Sequence, residues 1–170
     1  MSDSVLNDRL DCSGGPGLRS RRQFLWETAG VLLLAGCGQS SGPSRQHVDL
    51  YIQSDGDFLA YKPDMLSCPT GADVRLTFHH AGAILSQKHD WVLVKPGTVQ
   101  AVLSAGKDES EEHAYLRPRD PRVIAATALC GKGETVTVDF IAPAPGDYPF
   151  FCSTPGHAED MHGILHVTPA

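Results

Sequence analysis

Phe151-Cys152-Ser153-Thr154-Pro155-Gly156-His157-Ala158-Glu159-Asp160-Met161-His162-Gly163 places a thiol, an imidazole and a thioether within ten residues, at the spacing Cys-x4-His-x3-Met. One soft anion, one borderline nitrogen donor and one weak sulfur donor suit copper, which accepts both sulfur and imidazole. A fourth donor must come from elsewhere, and His89, at the entry to the apolar run in Lys88-His89-Asp90-Trp91-Val92, is the candidate. A Cys, two His and a distant axial Met form the donor set of blue-copper electron-transfer centres. An ordinary turn around a buried thiol would account for Cys152 and His157 alone. It does not account for the methionine: beyond residue 36 the chain has only Met65 and Met161, so Met161 is not one of many core fillers.

The flanking sequence alternates with the period of half-buried strands. Val48, Leu50 and Ile52 interleave with Asp49, Tyr51 and Gln53; Ala72, Val74, Leu76 and Phe78 interleave with Asp73, Arg75 and Thr77. Val136, Val138 and Phe140 do the same against Thr135, Thr137 and Asp139. Trp91 to Val94 is continuously apolar, which predicts a strand covered on both faces. Short strands punctuated by Gly and Pro predict an all-β sandwich spanning residues 47–170.

One segment departs from that period. Thr98 is expected to cap a short inserted helix carrying Val99, Val102 and Leu103 at i, i+3 and i+4 and ending near Gly106. The acidic run Asp108-Glu109-Ser110-Glu111-Glu112 is expected to form a solvated loop. Donors held on strands suit an ion that must change oxidation state without reshaping its ligands. His89 is expected from the opposing sheet edge, Cys152 from the end of strand Tyr148–Cys152, and His157 and Met161 from the loop before Ile164–Val167.

The first 46 residues are expected to supply an export signal and a tether. Ser20-Arg21-Arg22-Gln23-Phe24-Leu25 followed by Val31-Leu32-Leu33-Leu34-Ala35 resembles a twin-arginine export signal. The apolar run is shorter than the ~20 residues a spanning helix needs, which favours a removable leader over residues 1–36. Leu34-Ala35-Gly36-Cys37 resembles a bacterial lipoprotein processing site, with Cys37 as the acylated residue; an ordinary cleavage site is the alternative. Acyl chains there would anchor the protein, since each buried methylene contributes about 0.8 kcal/mol. Residues 37–46 then read as a flexible tether. Beyond residue 36 there are ten basic and sixteen acidic side chains, a net charge of −6 that excludes nucleic acid as an expected partner.

From about His47 to Thr168 the chain resembles the azurins, small bacterial blue-copper proteins of the cupredoxin family. The matching pieces are His89-Asp90-Trp91-Val92-Leu93, Tyr115-Leu116-Arg117-Pro118, Arg122-Val123-Ile124-Ala125, Phe150-Phe151-Cys152, Pro155-Gly156-His157 and Met161-His162-Gly163. The resemblance implies a Greek-key β-sandwich holding one type 1 copper ion, Cu(I)/Cu(II), through His89, Cys152, His157 and Met161. Three neighbours are expected to tune that site. Asp90 stands where the family usually has Asn and links the two ligand-bearing segments; an ionised carboxylate there would favour the oxidised ion and add pH sensitivity. Lys88 replaces a Gly whose carbonyl approaches the metal, which points to a four-coordinate site as in the auracyanins. Thr154 offers a backbone N–H to the thiolate.

The resemblance also places a pH-responsive histidine at His80, whereas His79, His162 and His166 are expected as exposed strand or loop residues. A family disulfide has no equivalent pair here, and Cys68 and Cys130 either bridge each other or remain buried thiols. The expected function is single-electron transfer between redox protein partners, a cytochrome or a copper enzyme, in the periplasm or cell envelope, with no catalytic turnover. Membrane contact is expected only through Cys37. Copper storage or delivery is the alternative, though it would favour clustered, exchangeable Met and His. A catalytic copper would require further histidines, and zinc is the chemical rival for Cys and His donors.

Overall fold

The computed structural model describes residues 45–83 and 87–170; the expected leader, Cys37 and the tether up to residue 44 lie outside the described residues. The strands are β1 (His47–Ser54), β2 (Tyr61–Lys62), β3 (Met65–Pro69), β4 (Asp73–His79), β5 (Val92–Val94), β6 (Val123–Ala126), β7 (Thr135–Ile141), β8 (Gly146–Phe151) and β9 (His162–Thr168). They form a four-stranded sheet in the order β2-β1-β4-β7 and a five-stranded sheet in the order β3-β9-β8-β5-β6. The pairs β1–β4 and β3–β9 are parallel and the rest antiparallel, so the chain changes sheet repeatedly, as a Greek-key sandwich requires.

The alternation decides which face each strand buries. Val74, Leu76 and Phe78 of β4 are buried while Asp73 and Arg75 are exposed. With Ile52 from β1 they meet Leu66, Leu93, Phe150, Leu165 and Val167 of the other sheet in one shared core. Each such side chain contributes about 1.5–3 kcal/mol on full burial, so the facing sheets hold together by area rather than by any single contact.

Trp91 to Val94 is buried on both faces, as its composition predicts. Trp91 and Leu93 enter the core between the sheets. Val92 and Val94 turn to the outer face and pack, with Phe151, under Val102 of the helix α1 (Val99–Gly106). The helix starts after Thr98 as expected, but the Thr98 hydroxyl does not cap it: it donates to the Lys95 carbonyl at 2.7 Å. The acidic run is also more structured than a solvated loop. Glu111–His113 makes one 3-10 turn, the Lys88 ammonium pairs with Glu111, and Gly106 lies so close to the Tyr115 carbonyl that a Cβ would fall 2.0 Å from it. Cys68 and Cys130 are both buried free thiols.

Candidate metal centre

The loop between β8 and β9 folds on itself. The His157 N–H donates to the Thr154 carbonyl at 3.0 Å, and the Met161 N–H to the His157 carbonyl at 2.8 Å. The Cys152 N–H closes the loop on the Met161 carbonyl at 3.0 Å. Gly156 turns the chain with φ +83°, a conformation that costs a residue with a Cβ. Gly163 is required for space: a Cβ there would lie 2.2 Å from the Asp64 carbonyl oxygen and 2.3 Å from the Phe150 ring.

His89 arrives differently. Its segment leads into β5, which pairs directly with β8 through Val92–Phe151 and Leu93–Phe150. It therefore comes from the neighbouring strand of the same sheet, not from the opposing sheet, because β5 lies between β8 and β6. An isolated bridge holds its backbone: His89 N–H donates to Cys130 O at 3.0 Å and Cys130 N–H to His89 O at 2.7 Å.

These two segments bring three of the four expected donors together. His89 Nδ1 and His157 Nδ1 are 3.1 Å apart, and Cys152 Sγ is 3.7 Å from each. His89, Cys152 and His157 are buried and form the one metal-competent cluster of such side chains among the described residues. Met161, the fourth, is fully buried in the same core cluster as Cys152.

The arrangement fits a metal ion on its own terms. Metal–nitrogen bonds of about 2.0 Å and metal–sulfur bonds of about 2.3 Å place N and S donors about 3.7 Å apart around a trigonal ion. Two neutral imidazoles directing Nδ1 lone pairs at each other need a proton or a cation between them. Burial, with the charges of His80 and His157 adding, pushes His89 down to about 4, and burial lowers His157 as well. Both imidazoles are thus neutral donors at pH 7. Burial, then the Asp90 charge, pushes the Cys152 thiol up to about 12, against the backbone N–H groups of Asp90 and Thr154. A cation is needed to hold this sulfur as thiolate, so loading a metal releases a proton.

The flanking residues join the two segments. Asp90 Oδ1 accepts the Ser153 N–H at 2.7 Å, tying the His89 segment to the Cys152 segment. Ser153 Oγ lies 2.5 Å from both Asp90 Oδ2 and the Ala114 carbonyl, yet it has one proton to give. The network closes when Asp90 is the acid, donating from Oδ2 to Ser153, which donates to Ala114. Burial of Asp90 raises it in that direction, to about 6, so the group titrates close to neutral pH. The Lys88 carbonyl accepts the Thr154 hydroxyl at 2.8 Å.

His80 is buried, with its ring 4.6 Å from that of His89. Its Nδ1 accepts the Gly82 N–H at 3.1 Å and its Nε2–H donates to the Gln87 carbonyl at 3.0 Å, which defines the neutral tautomer. His162 and His166 are exposed and His79 half-buried on their strands. His157 is 5 % exposed and borders a cleft of about 300 Å³ with Gln87, Lys88, Glu111, Tyr115, Thr154 and Pro155. Ser153, beside Thr154, is buried.

Sequence reasoning missed Tyr61, whose hydroxyl donates to the Asp90 carbonyl, and the Cys130 bridge. Each lies tens of residues from the ligands, and no spacing rule connects them.

A buried Cys–His–His cluster at one end of a two-sheet Greek-key sandwich defines a copper protein of the cupredoxin class. Residues 47–168 match the family described as copper binding proteins, plastocyanin/azurin family, and the chain belongs to it. It is similar to Auracyanin-A of Chloroflexus aurantiacus, 34% identical over 154 residues covering 82% of this chain and 91% of the relative. Azurin iso-2 of Methylomonas sp. (strain J) is 34% identical over 120 residues, 67% of this chain and 93% of the relative. The solved structure of the "blue" copper protein auracyanin A superimposes with a TM-score of 0.66 at 35% identity, covering 72% of this chain and 99% of that one. The reduced auracyanin of Roseiflexus castenholzii gives 0.66 at 32% identity, covering 74% and 99%. The relatives are electron carriers rather than enzymes, and this chain is a blue-copper electron-transfer protein exchanging electrons with redox partners.

Proposed function

We propose that His89, Cys152, His157 and Met161 hold a single copper ion and that this chain carries electrons without catalysing a reaction of its own. The observation behind this reading is the convergence of two neutral imidazoles and one thiol at 3.1–3.7 Å. Bound there, copper supplies a Cu(I)/Cu(II) one-electron couple. The chain supplies stiffness: His89 is pinned by Cys130, Cys152 by Met161, and the two segments by Asp90 and Ser153, so little of the frame has to move when charge changes. Burial excludes water from the sulfur, and the edge of His157 bordering its cleft is the exit toward a partner.

The test is the visible spectrum of the copper-loaded protein. An intense thiolate-to-copper band, bleached by reductant, restored by oxidant and absent from Cys152→Ser, is expected. A protein that binds copper without that band, or retains it in Cys152→Ser, refutes the assignment.

Export by the twin-arginine route and acylation of Cys37 complete the proposal, placing the domain in the cell envelope on a short tether. Support comes from the Arg21-Arg22 pair and Leu34-Ala35-Gly36-Cys37. Cys37→Ser should release the protein from the membrane fraction; a protein that stays membrane-bound after that change rules the anchor out.

A further inference from the structure

Between the proposed ligand His89 and the core residue Trp91, the backbone hands its acceptors to two different parts of the molecule. The His89 carbonyl takes the Cys130 N–H at 2.7 Å and the Trp91 carbonyl takes the Thr127 N–H at 3.0 Å, both on the chain beside β6. The Asp90 carbonyl takes the Tyr61 hydroxyl. Tyr61 is not on that sheet: it belongs to β2, the two-residue edge strand of the four-stranded sheet.

Its ring is 5 % exposed and stands edge-on to Phe78 at 5.8 Å and to Phe150 at 5.4 Å, one aromatic from each sheet. Those contacts aim the phenol at the site. Burial, with Cys152 and Asp90 adding, holds its proton well beyond the ordinary range, so the hydroxyl is a donor throughout. The same Asp90 residue reaches with its carboxyl to Ser153, next to Cys152. One peptide unit is thus gripped from both sides, by the opposite sheet through its carbonyl and by the ligand loop through its side chain.

We propose that the Tyr61 hydroxyl is a positioning group of the copper centre, fixing the Asp90 peptide and through it the setting of His89 toward Cys152 and His157. The inference rests on those side chains being the copper ligands. A phenylalanine would fill the same space and keep both edge-on contacts, but it would leave the Asp90 carbonyl buried without this donor. Groups that orient metal ligands from outside typically change metal affinity by about 10- to 100-fold when lost.

The test compares Tyr61→Phe and Tyr61→Leu with the unaltered copper-loaded protein. Tyr61→Phe is expected to displace the thiolate-to-copper band and the copper hyperfine splitting, and to weaken Cu(II) binding about tenfold in competition with a chelator. Tyr61→Leu, which also loses the ring contacts, is expected to melt lower than Tyr61→Phe while showing the same spectral displacement. If Tyr61→Phe merely melts lower and keeps the band and the affinity of the unaltered protein, Tyr61 is structural and the inference is overturned. Absence of the band in the unaltered protein overturns the ligand assignment itself, and the two failures are thereby distinct.

Discussion

In the proposed copper centre Cys152, His157 and Met161 come from one loop, whereas His89 comes from a segment 63 residues before Cys152. The loop is held largely by its own backbone: the bonds joining Thr154, His157, Met161 and Cys152 all fall between residues of the same stretch. Among the described residues, the bonds of the His89 segment run outward. Its partners are Cys130, Tyr61, Ser153 and Thr154, drawn from β2, from the chain after β6 and from the ligand loop. One side of the centre is thus a local motif and the other is assembled by the whole sandwich. Damage to the first should act on folding of the loop, and damage to the second should act on the setting of a ligand that remains in place.

The strongest way to break the loop side is Gly163→Ala. The added methyl meets backbone oxygen and the Phe150 ring, neither of which can yield cheaply. Overpacking of this kind should cost about 3 kcal/mol, read as a lower midpoint in urea unfolding of the copper-free protein. An unchanged midpoint would show that the loop and β3 can part, and that the local motif is not braced as described.

A smaller, sharper effect is expected from Asp90→Asn on the other side. An amide oxygen accepts the Ser153 N–H, and its NH2 donates to Ser153 Oγ, so the network closes without a titrating proton. In the unaltered protein Asp90 is raised to about 6: below that pH it is the neutral acid, and above it a negative charge appears beside the copper and favours the oxidised ion. The reduction potential should therefore fall as pH rises through this window. Asp90→Asn should hold its potential flat there and stand above the unaltered protein at pH 8. Parallel pH profiles for the two proteins would remove Asp90 from the account.

The same division explains what was readable beforehand. Cys152, His157 and Met161 were visible because the chain sets them at short, meaningful spacing around a Pro-Gly turn. The strands were visible because a half-buried sheet imposes period two, and Val74, Leu76 and Phe78 obey it. His89 was nameable from the apolar run that follows it, but its sheet was not, since strand order depends on which remote edge pairs with β5. The Thr98 cap failed for a local reason: its hydroxyl turns back to donate to the Lys95 carbonyl rather than accepting an N–H of the first helical turn. Where Asp90 titrates was not readable beforehand, because its burial and its bonds to Ser153 exist only in the folded chain.

By itself, the order of residues determined the donor chemistry, the all-β class and the loop that carries three of the proposed ligands, since each of these follows from side-chain type and short-range periodicity. Only the folded chain decided how His89 is aimed, which neighbours grip Asp90, and that Tyr61 spans the two sheets to do so. Those contacts join residues far apart along the backbone, and their energies depend on burial and direction that exist only once the sheets have closed on each other.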